Sequence, residues 1–387
     1  MFNLKKKSLK QLDILLLLSA VLLSVYGIFV LYSAYAGSLA PIKSQIFSTL
    51  LGFLLIIIIC TMDLDVLKKI YIPVYFLSIF LLGLTVVFGR GGQEWGSDSW
   101  LVLGPISFQP SEITKVGLIF VLAAHMDKYK NRINELPVLL GTLIIAGLPV
   151  FLIMLQPDFG TAMVYLFFIA VMLFVGGLDW KWIIILLTIS LVAFVLMLLN
   201  LEGYQANRIL DFLDPARDTS GSGWQQQQGL IAIGSGMLRG RGFMQGTQSQ
   251  YGYIPEKETD YIFSVLAEEL GFIGSLLMLV LFAVLIFRQI SIIKKSNNTF
   301  ISLLVAGICG MFFIHIFENV GMTIGIMPVT GIPLPFFSYG GTFQLISLIN
   351  VGLCLSASLQ KTYYDIETSE AETLTIQNPR ALAEKNK

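Results

Sequence analysis

"KKKSLKQLDILLLLSAVLLSVYGIFVLYSAYAG" (residues 5–37) starts basic, turns apolar at Ile14 and closes on Ala-Tyr-Ala. That order imitates a secretory signal peptide with a small-residue cleavage site. The uncharged run extends from Ile14 to Ile42, however, about twice the roughly 7–15 residues of a signal h-region. Further uncharged runs follow at Ser44–Met62, Ile70–Gly89, Leu136–Pro157, Phe159–Leu178 and Trp182–Leu201. Each reaches the roughly 18–20 residues that cross a bilayer. Later come Leu270–Phe287, Ser296–Ile314 and the uncharged span Asn319–Gln360. The opening stretch is therefore expected to be an uncleaved first helix of a polytopic membrane protein.

Composition agrees. The 387 residues are 55% hydrophobic and 13% charged, with a mean hydropathy of +0.77, whereas soluble domains carry about 25% charged residues. Ten membrane helices are expected near residues 12–34, 43–62, 69–89, 111–126, 136–156, 159–178, 181–201, 261–289, 299–326 and 341–360. The net charge of zero does not set orientation; the placement of Lys and Arg does. Most of the 25 Lys and Arg fall in segments that are cytoplasmic if the amino terminus is inside, so both ends are expected in the cytoplasm. The fold class is thus an all-α integral membrane protein, with a large outer loop (202–259) between helices 7 and 8 and re-entrant outer segments. Residues 1–362 form the transmembrane domain, and 363–387 are expected as a disordered cytoplasmic tail. Cys60, Cys309 and Cys354 all fall in apolar helix sequence and indicate neither a disulfide framework nor a zinc site. No nucleic-acid partner is expected.

Polar residues collect in two outer segments. The first is "GRGGQEWGSDSWLVLGPISFQPSEITK" (89–115). The second is the outer loop, whose length marks it as functional or disordered. Its Trp224, Phe212, Phe243, Tyr251 and Tyr253 favour an ordered cap, and Leu230–Gly242 reads as a short amphipathic helix ending in a Gly-rich turn. "MPVTGIPLPFFSYGGT" (327–342) is apolar, yet Pro328, Pro333 and Pro335 break any helix. Non-helical backbone at membrane depth survives where protein buries it or it lines a cavity, so a re-entrant outer loop is expected.

Intramembrane ionisable groups are few: Glu112, Lys115, Asp158, Glu268, Glu269, His315 and Glu318. Such groups face the interior or a wet cavity and pair with one another. Glu112 with Lys115, and His315 with Glu318, are three apart and share a helix face; either pair could be purely structural. Asp158 is placed to cap the helix that follows it. Asp260 stands at the start of helix 8, where the macrodipole favours a negative charge, and could be an N-cap. Glu256 and Glu258 lie within one turn of it, and like charges so close raise carboxylate pKa values, which would suit a general base. Position alone leaves cap and base both open.

Five stretches, taken in order, carry a resemblance: "FQPSEITK" (108–115), "QPDFGTA" (156–162), "GLIAIGSGMLRGRGFMQGTQ" (229–248), "IPEKETDYIFSVLAEELGFIG" (254–274) and "GIPLPFFSYGGT" (331–342). Together they resemble the SEDS family (shape, elongation, division and sporulation), and "SVLAEELG" and "PLPFFSYGG" look most like its RodA elongation branch. The resemblance implies a peptidoglycan glycosyltransferase that polymerises lipid II, an undecaprenyl-pyrophosphate-linked disaccharide peptide, at the outer face of the plasma membrane. The family motif PE-x-x-TD-[FY]-IF places the catalytic carboxylate on Asp260, and the polar cavity residues on Glu112, Lys115 and Asp158. Family members often carry Arg-Trp ahead of "FQPSE", but this chain has Ser99-Trp100, so that loop is given no phosphate-binding role. The resemblance also implies a class B penicillin-binding protein and other elongation-complex membrane proteins as partners. Gly307 and Gly310 in "GICGMFF" (307–313) offer a docking face on helices 8 and 9, the alternative being packing inside the bundle.

The residues fit that chemistry. The developing pyrophosphate charge needs cations, and Lys115, Arg208, Arg239, Arg241 and Lys257 are the outer-side candidates for substrate binding. A divalent metal (Mg²⁺ or Mn²⁺) could assist, with no ligands assigned. Two other functions compete. A lipid II flippase suits buried charges, but the polar weight lies on one side and no inverted repeat is visible. A non-catalytic scaffold for a cell-wall synthase requires Asp260 to be dispensable.

Overall fold

The computed structural model describes residues 12–91, 97–104, 106–199, 210–214 and 221–377. Arg208 lies outside the described residues. Thirteen named helices and one small hairpin follow in order: α1 (Ile14–Ala34), α2 (Ile42–Thr61), the short α3 (Leu64–Lys68), α4 (Tyr71–Phe88), β1 (Leu101–Leu103), β2 (Ile106–Phe108), α5 (Pro110–Lys128), α6 (Leu136–Met154), α7 (Phe159–Val175), α8 (Trp180–Leu199), α9 (Ser222–Gly236), α10 (Thr247–Gln250), α11 (Ile262–Lys295), α12 (Thr299–Thr323) and α13 (Gly341–Gln377). Among the described residues α1, α2, α4, α6, α11, α12 and the first part of α13 are long and apolar enough to span a membrane. With the shorter apolar α7 and α8, and with α5, they make the ten expected helices. The helix of α13 continues past residue 363, into the expected tail.

Burial ranks the helices. About 78% of α12's apolar window is buried, against 17% for α4 and 22% for α2, so α12 is a central post and α4 and α2 face lipid. α12 packs on α5, α7 and α11, α13 packs on α2, and α1 packs on α11. This corrects the expected docking face. A Cβ added to Gly307 would run into Ile119 and Met172, and one added to Gly310 would press on Val171 and Phe168. Both glycines are interior, where they let α12 approach α5 and α7 closely.

α11 is broken in its first third. Gly271 has φ 66° and ψ −162°, a conformation costly for any residue with a Cβ. The chain from Met237 to Gly242 docks on the break. Met237 and Leu238 carbonyls accept from Phe272 N and Ile273 N at 2.8 and 3.1 Å, and Arg241 N and Gly242 N donate to the Glu268 and Glu269 carbonyls at 2.9 and 3.0 Å. α9 ends at Gly236 as the Gly-rich turn begins, and Gly236 and Gly240 let the two backbones touch.

The two interior acids of α11 fasten this cap. Glu268 accepts from Gln248 N (2.8 Å) and Ser249 N (2.9 Å), both in α10. Glu269 accepts from Ser33 Oγ (2.6 Å), Gln250 Nε2 (2.9 Å) and Met244 N (3.1 Å). Carboxylates that receive several donors are satisfied even when buried. The acids in this apolar helix are brackets for the outer loop.

Candidate functional site

The re-entrant segment expected at 327–342 is non-helical as far as Gly340, α13 beginning at the next residue, and much of it is buried. A Cβ on Gly27 of α1 would collide with the Phe336 carbonyl, so the loop lies flat against α1. Above it runs the turn 256–261. Three successive carbonyls of that turn are tied down: Glu258 O accepts from Tyr339 N (2.8 Å), Thr259 O from Ser338 Oγ (2.5 Å) and Asp260 O from Asn319 Nδ2 (3.0 Å). The N-cap of α11 falls on Tyr261, so Asp260 sits one residue ahead of the cap position. Asp260 is partly exposed, and its carboxylate lies over Gly331, where an added Cβ would stand 3.5 Å from Oδ2. Beside this turn, burial and then the charge of Glu258 push the Tyr35 phenol up, so it stays protonated.

Beneath the turn lies a fully buried cation. Lys115 Nζ donates to Glu112 Oε1 at 2.8 Å and to His315 Nε2 at 2.9 Å. The expected His315–Glu318 pair does not form. His315 turns to Lys115 and, through Nδ1, to the Pro333 carbonyl at 3.2 Å, because its ring can satisfy both nitrogens only by reaching across the bundle. Glu318 is buried and, among the described residues, neither of its oxygens has a hydrogen-bond partner. Asp158 is the N-cap of α7: Oδ1 accepts from Thr161 N (3.1 Å) and Oδ2 from Gln109 Nε2 (3.0 Å). It is close enough to Lys115 to feel its charge.

The remaining expected binding residues are spread out. Lys257 donates to Ser249 O at 2.6 Å and so closes the end of α10. Arg239 and Arg241 are exposed, at the far end of the broken half-helix, roughly 12 Å along its axis from Asp260 at 1.5 Å per residue. Arg241 also donates to Ser235 Oγ (3.0 Å). An apolar cleft of about 260 Å³ opens between α9, α11 and α12, lined by Ile233, Met237, Phe263, Phe272, Leu276 and Val320. Among the described residues no three His, Cys, Asp or Glu side chains are grouped to hold a metal ion. Asn319 escaped the sequence search because it is uncharged. Its spacing of four from His315, on the same face of an apolar helix, is the signal that could have found it.

The family profile described as cell cycle protein, covering FtsW, RodA and SpoVE, matches residues 12–363. The peptidoglycan glycosyltransferase MrdB of Escherichia coli (strain K12) is 35% identical over 351 residues, covering 89% of this chain and 93% of MrdB. Stage V sporulation protein E of Bacillus subtilis (strain 168) is 36% identical over 360 residues, 91% of this chain and 98% of that protein. A chain from a peptidoglycan synthase complex, solved in work on the structural coordination of polymerization and crosslinking, aligns with a TM-score of 0.79 and 32% identity, over 90% of this chain and 98% of that one. The rod shape determining protein RodA of Thermus thermophilus aligns with a TM-score of 0.69 and 29% identity, over 90% and 97%.

Proposed function

Because this chain belongs to the FtsW/RodA/SpoVE family of cell cycle proteins, we propose that it acts as a RodA-like peptidoglycan glycosyltransferase with Asp260 as its general base and lipid II as its substrate. It is a multi-pass membrane protein, and the side carrying the cap is the outer face, with both termini in the cytoplasm. The supporting observation is the Asp260 turn, held at three consecutive carbonyls while Asp260 stays partly exposed with Oδ2 over Gly331. A residue serving only as a helix cap has no need of that scaffold.

The reaction joins two sugars. The 4-hydroxyl oxygen of one GlcNAc bonds to the anomeric carbon of a MurNAc, and the bond from that carbon to undecaprenyl pyrophosphate breaks. The hydroxyl proton passes to Asp260, a role typically worth about 10²–10⁴-fold in rate. One displacement inverts the anomeric centre, so no nucleophilic side chain is needed. Lys115 is buried, so it favours the leaving pyrophosphate through space from beneath the site. Arg239 and Arg241, exposed on the cap, suit the arriving phosphates better. Any divalent cation would be brought in largely by the pyrophosphate itself, as Mg²⁺ commonly is. The apolar cleft starting at Phe263, within one turn of Asp260, suits part of a polyprenyl tail. A class B penicillin-binding protein would supply the crosslinking reaction, for which this chain offers no Ser-x-x-Lys nucleophile on an outer domain.

Purified protein given lipid II should make glycan strands, and Asp260→Asn should not. Strand synthesis by the variant within threefold of wild type would remove Asp260 as the base. Movement of lipid II across vesicles without strand synthesis would favour the flippase instead.

A further inference from the structure

Two side chains on one face of α12 reach the two halves of the site. His315 and Asn319 are one turn apart and both fully buried. Asn319 spends both amide hydrogens on carbonyls, Asp260 O at 3.0 Å and Ile332 O at 2.8 Å. Flipping the amide would set its oxygen against those carbonyls, so the orientation is fixed. His315 takes the next carbonyl along, Pro333 O, with Nδ1, and receives Lys115 Nζ at Nε2. A lysine ammonium only donates, so Nε2 accepts and Nδ1 carries the ring hydrogen. Both contacts therefore require one neutral tautomer. The Ile332 and Pro333 carbonyls follow directly on Gly331, the residue beneath the Asp260 carboxylate. One helix face thus grips the Asp260 backbone, the strip of loop below its carboxylate, and the buried cation.

We propose that His315 and Asn319 are positioning residues for glycosyl transfer, which set Asp260 and Lys115 in fixed register through the Ile332–Pro333 backbone. The assignment rests on Asp260 being the base, and it predicts how the rate is lost. Displacing a reacting group by about 1 Å can cost on the order of 10²-fold while binding is kept. A side chain needed only for packing would lower folded protein and leave the turnover of what remains unchanged.

The test is steady-state polymerisation of lipid II by purified Asn319→Ala, His315→Leu, His315→Gln and Asp260→Asn, each with a melting curve in the same detergent. Asn319→Ala and His315→Leu should lower kcat by about 10-fold or more with KM within about twofold of wild type. His315→Gln should stay within about threefold, because its amide oxygen and nitrogen can replace the accepting and donating ring atoms. Wild-type kcat in Asn319→Ala and His315→Leu, with Asp260→Asn inactive, overturns the positioning roles and leaves the base in place. Activity in Asp260→Asn overturns the functional assignment itself. Should Asn319→Ala melt too early to assay, the histidine pair decides. Wild-type kcat in His315→Leu, whatever its melting temperature, would make His315 a packing residue and overturn the proposal. Equal kcat losses in His315→Leu and His315→Gln would mean that replacing its two hydrogen bonds is not enough, and would overturn the positioning role as well.

Discussion

Asp260 and Glu269 stand nine positions apart around the same half-helix, and the protein treats them in opposite ways. Glu269 has its carboxylate saturated by Ser33, Gln250 and Met244, so its whole hydrogen-bonding capacity goes into holding the cap. At Asp260 the backbone is what is held, through the carbonyls from Glu258 to Asp260, and the residue stays partly exposed with Oδ2 over Gly331. A buried acid receiving several protein donors is a fastener. An acid whose main chain is immobilised at three successive carbonyls is held in one place for another purpose.

Four substitutions would break or sharpen that contrast. The largest effect is expected at Asp260→Asn: glycan synthesis falls by about 10²–10⁴-fold while the melting temperature stays within a degree or two. A large fall in melting temperature instead would put Asp260 in the same class as Glu269. Next comes Lys115→Met, which leaves Glu112 buried without its cation and should cost about 3–5 kcal/mol of stability. Adding Glu112→Gln should restore most of that stability in a denaturation assay. If it also restores polymerisation, Lys115 has no part in stabilising the pyrophosphate.

Glu269→Ala strands the Ser33 hydroxyl and Met244 N donors, while Gln250 keeps the Ser33 carbonyl, and about 1–3 kcal/mol of stability should go with them. Activity per folded molecule should be largely kept, and protease cleavage within 237–250 should become faster. Unchanged cleavage there would mean the cap does not depend on this bracket. The smallest effect is expected at Arg288→Ala on the opposite side of the membrane. There Arg288 makes a bidentate pair with Asp13, the N-cap of α1. The arginine is partly exposed, so its loss should cost no more than about 1 kcal/mol, and polymerisation should be unaffected.

Much of this architecture was legible in the sequence, for reasons that also explain what was not. The long uncharged runs fix nine of the ten helices because a bilayer demands length and apolarity whatever surrounds them; α5, with Glu112 and Lys115 inside it, belongs to no such run. Glu112 and Lys115 could be paired by their spacing, since i and i+3 side chains share a helix face without help from the fold. The same rule failed for His315 and Glu318. The true partner of His315 is 200 positions away, and only the packing of α12 against α5 brings it near. The β1–β2 hairpin over 101–108 went unread although Leu101–Leu103 and Ile106–Phe108 are short apolar runs on either side of Gly104-Pro105, because strands of three residues are too short to show a periodicity. Gly271 was visible as a glycine in a helix. That it breaks the helix depends on a second backbone, from Met237 to Gly242, arriving to take up the freed groups.

The bond between Ser33 and Glu269 also constrains the order in which the protein can be made. The two residues are 236 positions apart, and at about 5–20 residues per second the ribosome needs roughly 10–50 s to travel from one to the other. Tyr26 with Gly274 and Asp13 with Arg288 are separated by similar stretches, 248 and 275 positions. Throughout that interval α1 must remain in the bilayer without the helix it will finally pack against. Glu269, once it emerges, has its oxygens covered only when the cap, already synthesised, folds back onto it. Assembly of the site is thus a late event of biogenesis, and a defect in docking the cap would leave ten inserted helices and no enzyme.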